Sequence, residues 1–417
     1  MLKKVYNNYI SQNLGLINMF GKVFGRSLYL VLLALLSHKL SLNDFANFAI
    51  FWATLRMFTF YTANNLYIIY FDEVRTSLMK KREWPKRITT NIVFTYLAFS
   101  TLLFVVSLFL FENVWVTILL MPCLLCYIII RNLSEFAKAD NNLLLSIFIE
   151  EILFYFLFFI TGVASLFFFN NLISVIFALL ISLLLTAITC LILFRRKFEI
   201  SIKSYSLASS DFSFSDFKLG FNYTILRGNE VLSNFAVRYL GQIYYGDLFV
   251  GYAHIMYQFY NIFCLLAVAV VSGFQSKITI SLDEALTREF FNKMYKKVLT
   301  TLLPFVVGLL IVVVLLNAQI LEWFFPKYII FGQLLIKVSL AGVFFAVVQP
   351  FVFIFIYNKL FHNIMRLNAI QYAIMTFMFS LPYFYSNFDE QYWLLLMMTL
   401  FVMIQGFFAV LNYNRIR

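Results

Sequence analysis

Histidine, cysteine and long polar stretches are scarce in this 417-residue chain, and each shortage closes off a kind of chemistry. There are 3 His and 4 Cys. Cys123 and Cys126 form a C-x-x-C, but it lies inside an apolar run with no His nearby, where neither a zinc site nor thiol exchange is expected. Cys190 and Cys264 also fall in apolar runs, so all four read as small packing residues. The longest polar stretches, 195–216 and 275–297, are too short to fold as domains. Membrane-bound glycosyltransferases, polymerases and ligases generally need an extramembrane catalytic surface, and no segment here provides one. G-x-x-x-x-G-K-[ST] does not occur, so the chain has no P-loop with which to couple ATP. No cofactor or metal is expected, and the chain does not read as an enzyme.

What the chain has in abundance is apolar length. Hydrophobic residues make up 62 % of it, a share that places it among membrane proteins. A bilayer core about 30 Å thick takes roughly 20 apolar residues as a helix, because every backbone N–H and C=O must be satisfied within the segment. Twelve runs meet that description: 16–36, 45–70, 90–110, 114–131, 143–168, 172–194, 217–240, 247–273, 298–317, 328–357, 367–384 and 391–412. The first follows a polar start without a small-residue cleavage site and reads as a retained helix rather than a signal peptide. Twelve is even, so both ends share a side. With alternate loops assigned accordingly, 24 of the 32 Lys and Arg residues lie with the ends and only Lys39 and Lys327 opposite. By the positive-inside rule that side is the cytoplasm. The net charge of +12 then reads as attraction to anionic lipid headgroups, with no nucleic acid required.

A serine-rich loop, with Ser201, Ser204, Ser206, Ser209, Ser210, Ser213 and Ser215, reads as a linker between residues 1–205 and 206–417, six helices each. Ser215 or Asp216 is expected to cap the next helix. A short repeat supports the division: Phe45-Ala-Asn-Phe-Ala49 in the second span is similar to Phe249-Val-Gly-Tyr-Ala253 in the eighth. The fold class predicted is all-α, a polytopic membrane protein with about twelve transmembrane helices in two six-helix bundles around a central cavity.

Six cations remain inside the spans: Lys22, Arg26, Arg56, Arg227, Arg238 and Lys337. A charge near the middle of a spanning helix costs about 2.5–3.5 kcal/mol on insertion scales, so such residues usually face a bundle interior or a water-filled cavity. On the seventh run Arg227, Glu230, Asn234 and Arg238 are spaced by 3, 4 and 4, which stacks them along one helical face. Lys22 and Arg26 are likewise four apart. Two readings stay open: a binding stripe, or snorkelling side chains and a structural Arg227–Glu230 pair. Asn64, Asn65, Gln258, Asn261 and Gln349 are further polar side chains that either bond a ligand or join helices. Glu150 and Glu151 open the fifth run and are expected to assist its N-terminus or to carry a proton. Guanidinium forks suit phosphate and carboxylate, so a cationic interior favours an anionic or pyrophosphate-bearing cargo over an organic cation. The 20 % aromatic content fits lipid contact and interfacial belts.

The segment from His38 to Ile50, HKLSLNDFANFAI, resembles the "leu-ser-x-x-asp-phe-gly-x-phe-ala" region of the bacterial polysaccharide flippases. These export O-antigen and capsule repeat units and belong to the multidrug/oligosaccharidyl-lipid/polysaccharide superfamily. Further likeness runs from Arg238-Tyr-Leu-Gly241 through Gly251-Tyr-Ala253, at Leu303-Pro304, and from Ile320 to Pro326. It covers the whole chain in length, span number and half-repeat, although Ala46-Asn47 stands where the family has glycine and a free position. The resemblance implies two bundles forming a cavity that opens alternately to the two sides of the cytoplasmic (inner) membrane. It implies an undecaprenyl-diphosphate-linked oligosaccharide as cargo, with Arg26, Arg56, Arg227, Arg238, Asn64 and Asn234 as substrate-binding residues. Glu230 and Asp44 are the residues it leaves for ion coupling. Membrane lipids, and other membrane proteins of polysaccharide assembly, would be the partners. Two rivals remain, a drug or metabolite exporter of the same superfamily and a membrane-embedded polymerase or ligase.

Overall fold

Apolar runs of this length have one way to satisfy their backbone groups, and the chain takes it throughout: the fold is all-α, with no strand among the described residues. The computed structural model describes residues 2–63, 86–111, 113–139, 142–198, 213–280, 288–357, 361–385 and 388–413. The helices are α1 (Leu2–Lys39), α2 (Leu42–Ala63), α3 (Lys86–Leu110), α4 (Val114–Ala139), α5 (Leu143–Phe168) and α6 (Leu172–Phe198). Then come α7 (Phe214–Arg227), α8 (Asn229–Tyr245), α9 (Asp247–Ile280), α10 (Arg288–Phe324), α11 (Gly332–Tyr357), α12 (Phe361–Phe384) and α13 (Glu390–Tyr413). Eight of them contain stretches long and apolar enough to cross a membrane, counted over the described residues, and α12 and α13 carry shorter ones. The chain is therefore a multi-pass membrane protein. The seventh expected span is interrupted: α7 stops at Arg227, Gly228 turns with ψ −12°, and α8 begins at Asn229. A side chain at Gly228 would force its surroundings to shift, because a Cβ there would lie 2.8 Å from Tyr61 Cζ and 2.9 Å from the Thr224 carbonyl oxygen.

The described structure divides into two compact units, residues 39–235 and residues 1–38 together with 236–417. That differs from the expected boundary at 205/206 in two respects, both traceable to packing. Helix α1 joins the C-terminal unit because it docks on α9: Asn18 Nδ2 donates to the Ala269 carbonyl at 3.1 Å, and Met19 lies in one apolar core with Phe263, Ala267, Val270, Leu302 and Val306. At the other end, the start of α7 belongs to residues 39–235, held by the Ser213 N–H donating to Asn91 Oδ1 at 3.2 Å. The cap of α7 is Ser213, whose Oγ accepts from the Asp216 N–H, rather than Ser215 or Asp216. An extended Ser213 puts its oxygen over the first free N–H groups.

Within residues 39–235 the core is an aromatic stack. Trp52, 1 % exposed, lies nearly parallel to Phe154 (6.2 Å, 4°) and Phe158 (6.1 Å, 11°), with Tyr127 completing the group. Glu150 and Glu151 do not start α5 as expected: a π-helical turn, Phe148–Leu153, carries both. Glu150 is bound there by Arg131 and by Ser134 Oγ at 2.8 Å, while Arg131 also reaches Glu135 at 3.2 Å. A charge network inside a helical bundle replaces the helix-end role that the sequence indicated.

In the other unit α9 is the central helix: 83 % of an 18-residue apolar stretch within Asp247–Val270 is buried, against 22 % of one within Tyr295–Phe324 in α10. It begins after Gly246, whose φ of +84° is the left-handed conformation that favours glycine. The two repeat segments have the same local role. Phe45, Phe48 and Ala49 in α2 are fully buried, as are Phe249, Tyr252 and Ala253 in α9, so each fills the core from one face of a helix's first turns. Gly251 replaces a side chain for a reason of space: a Cβ there would collide with Tyr328 Oη and stand 2.8 Å from its Cζ. Gly251→Ala is expected to destabilise this unit by about 1–3 kcal/mol, the usual cost of overpacking. A thermal unfolding midpoint in detergent equal to that of the parent would show that Tyr328 yields without cost.

Candidate functional site

The best-defined polar group in the apolar interior is built on α1, the second part of α8 and α9, its side chains all in the unit of residues 1–38 and 236–417. His254, on the fully buried face of α9, meets Tyr29 from α1, whose Oη lies 3.1 Å from Nε2. From α8, Arg238 donates Nε–H to Nδ1 of the same ring at 3.1 Å. The guanidinium also sits 4.9 Å above the ring of Tyr257, one turn beyond His254 on α9. These four side chains are each no more than 3 % exposed.

The donor inventory fixes the state of the imidazole. Arg Nε can only donate, so Nδ1 must carry a lone pair, which places the single ring proton on Nε2, pointing at Tyr29. Beside Arg238 lie an imidazole, to which it donates, and a phenol ring whose quadrupole favours the cation. Farther along the same face of α9, at i+4 and i+7 from His254, are Gln258 and Asn261, 3 % and 8 % exposed. Gln258 Oε1 and Asn261 Nδ2 find no hydrogen-bond partner among the described residues. Buried amides in that condition are rare and mark a place where a polar guest would be welcome.

The residues singled out from the sequence divide between the two units. Arg26, buried on α1 one turn before Tyr29, belongs with Arg238. Arg56 on α2 is half-buried and belongs to residues 39–235, as do Glu230 and Asn234, half-buried in the first part of α8. Arg227 ends α7 on the far side of Gly228, so the step from Arg227 to Glu230 in the expected stripe crosses a helix interruption. Asn64 lies outside the described residues. Asp44 sits in the first turn of α2, where its N–H is capped by Ser41 Oγ at 3.1 Å and its carboxylate faces a helix N-terminus. That placement gives Asp44 a structural reason of its own. Lys337 stands exposed on α11, 5.5 Å over the ring of Tyr392.

Sequence reasoning missed His254. The signal was there: it follows the repeat segment directly, and it shares one helical face with Tyr257, Gln258 and Asn261. A lone histidine in an apolar run carries no partner on its own helix, however, and Tyr29 and Arg238 reach it from 225 and 16 residues away.

No family model and no curated protein matches this chain. Solved structures do. The chain is similar to a multidrug resistance MATE family transporter of the MOP superfamily in its inward-facing conformation, with TM-score 0.68 and 11 % identity over 94 % of this chain and 95 % of that one. It is also similar to an outward-facing conformation of such a transporter, TM-score 0.65 and 11 % identity over 97 % and 96 %. A third is a MOP superfamily transporter from Pyrococcus furiosus Vc1, TM-score 0.66 and 11 % identity over 97 % and 96 %, described by a reverse polarity of its binding pocket that suggests a different function. At these identities the likeness establishes the fold.

Proposed function

We propose that this chain, with the fold of MOP superfamily transporters, is a flippase for an undecaprenyl-diphosphate-linked oligosaccharide. It works by alternating access in a bacterial cytoplasmic membrane, with both ends on the cytoplasmic side. The observation that carries the reading is Arg238, a guanidinium 2 % exposed inside an apolar unit, beside His254 and Tyr257. A cation inside a spanning helix is costly, and such residues usually mark the path of a substrate or ion. A diphosphate suits it, since guanidinium bonds phosphate oxygens in pairs. Arg26 in the same unit and Arg56 in the other supply further positive charge, and Arg227, Asn64 and Asn234 complete the proposed substrate contacts. Glu230 and Asp44 are proposed as coupling groups. The P. furiosus protein, described by reversed pocket polarity, is a precedent for this fold serving something other than its drug-exporting members do. Transport by this route needs no hydrolysis in the chain itself.

The test is what accumulates when the protein is removed. In a deletion strain, a diphosphate-linked oligosaccharide should build up on the cytoplasmic leaflet while surface glycan disappears. Likeness to multidrug transporters supports a second reading, drug or metabolite export, and heightened drug sensitivity with normal glycan would decide for it. Elongation of lipid-linked glycan by the purified protein would replace both readings with a polymerase.

A further inference from the structure

Lys337 is a cation within a spanning helix that the proposed cargo contacts leave unused. It projects from the first turns of α11 and stands 5.5 Å over the ring of Tyr392 on α13, with no acidic partner among the described residues. Tyr392 in turn lines a cleft of ≈ 390 Å³ together with Phe388, Asp389, Leu395, Leu396 and Thr399. We propose that this cleft is a phospholipid site for a zwitterionic headgroup with a primary ammonium: Lys337 takes the phosphate, Asp389 the ammonium, and the apolar wall an acyl chain. The site lies apart from the cargo contacts and does not depend on the reading of Arg238.

Charge decides the headgroup. Lys337 and Asp389 are both exposed and flank Tyr392, one over its ring and the other three residues before it. Three residues along a helix rise about 4.5 Å, a spacing suited to a phosphate and an ammonium joined by two carbons. A cation and a carboxylate held apart on one rim complement a headgroup of both signs, whereas a headgroup with phosphate alone would meet Asp389 as a like charge. Asp389 Oδ1 accepts the N–H groups of Gln391 and Tyr392 at 2.8 and 3.0 Å, capping α13. A carboxylate has further lone pairs, and an ammonium is a donor that reaches them. The neighbouring acids are engaged elsewhere: Glu390 with Tyr252, and Asp247 with Gln242 Nε2 at 3.0 Å.

The rim is held in place. Tyr245 Oη donates to the Phe388 carbonyl at 3.0 Å and Trp393 Nε1 to the Met378 carbonyl at 3.0 Å, so the chain on both sides of Asp389 is tied to α8 and α12. The acyl chain has a surface to follow. Leu340 and Phe344 are exposed on the face of α11 that carries Lys337, at i+3 and i+7, and Leu395 and Leu396 continue the cleft along α13. Helices α11 and α13 pack together and both begin at this end, which sets the charges at one level and the apolar surface beyond them. A lysine alone at such a level would be ordinary snorkelling; the carboxylate beside it is what selects a second headgroup charge. With both chain ends cytoplasmic, as proposed, the start of α13 faces the outer leaflet.

The experiment is photolabelling of the full-length protein in lipid nanodiscs by phosphatidylethanolamine or phosphatidylglycerol carrying a diazirine in one acyl chain, read by mass spectrometry of its peptides. Phosphatidylethanolamine should label residues 340–344 and 392–399 about fivefold more than phosphatidylglycerol, the factor for one charge worth about 1 kcal/mol at a membrane surface. Lys337→Gln should lower that labelling by a similar factor, and Asp389→Asn, which keeps the cap, should bring the two lipids level. Labelling that is equal for the two lipids in the parent protein, or that neither substitution changes, marks ordinary bilayer contact and overturns the proposal. Stronger labelling by phosphatidylglycerol overturns it in favour of a site for anionic lipid. Loss of the label to an equimolar amount of polyprenyl diphosphate assigns the cleft to a carrier lipid and overturns it equally. Should Lys337→Gln not fold, Asp389→Asn decides by itself: lost discrimination between the lipids upholds the site, and retained discrimination overturns it.

Discussion

Trp52→Ala should destabilise residues 39–235 by about 3–5 kcal/mol, the range for removing a buried large aromatic side chain. Trp52 is 1 % exposed and lies against Phe154, Phe158 and Tyr127, each ring centroid 6.1–6.4 Å from its own. Its removal leaves a cavity bounded by three flat rings from α4 and α5. Those helices are tied to one another near the π-turn by Arg131, Ser134 and Glu150, so they are poorly free to collapse into the space. A Trp52→Phe change preserves most of the stack and should cost much less. Thermal unfolding of the detergent-solubilised variants reads the difference. If alanine and phenylalanine are equally tolerated, the stack is packing without consequence and this core is organised by something else.

Arg238→Ala should lower surface glycan by at least about tenfold while the protein remains inserted. A hydrogen bond to a charged group is worth about 1.5–3 kcal/mol, and every 1.4 kcal/mol is a factor of ten in affinity. The same change has an ambiguous effect on folding. It removes the hydrogen bond to His254 and the contact with Tyr257, but it also spares the chain the burial of a cation. Function and stability should therefore separate, with a large loss of polymer and a modest change in melting. Arg238→Lys keeps the charge without the fork and should rescue only weakly. Adding Arg56→Ala should deepen the loss, and wild-type polymer in the double variant would remove the cationic residues from the account of transport.

Much of the fold was legible because its grammar is short. Apolar runs of about 20 residues between basic loops have one solution in lipid, and α1, α3 to α6 and α9 to α11 stand where those runs predict them. Where the reading went astray, the deciding information lay elsewhere in the chain. Nothing in residues 16–36 says that α1 packs with α9 rather than with its neighbour α2; the Asn18–Ala269 contact spans 251 residues. The run 217–240 carries no stop of its own, yet the helix breaks at Gly228, against which Tyr61 packs. Glu150 and Glu151 resemble helix-starting acids until the π-turn and Arg131 engage them.

The candidate site follows the same rule. Arg26 and Arg238 were conspicuous by themselves, since a charge in an apolar run is anomalous whatever surrounds it. His254 was not, because an imidazole takes its meaning from what its two nitrogens face. By itself the sequence determined that this chain crosses a membrane many times as helices and that it carries cations there, since both follow from local composition and the absence of water in hydrocarbon. Only the tertiary structure decided which helices share a core, where the seventh run breaks, and that one buried arginine leans on a histidine. Those are pairings between distant residues, and a pairing has no free energy until the chain has closed the loop between its members.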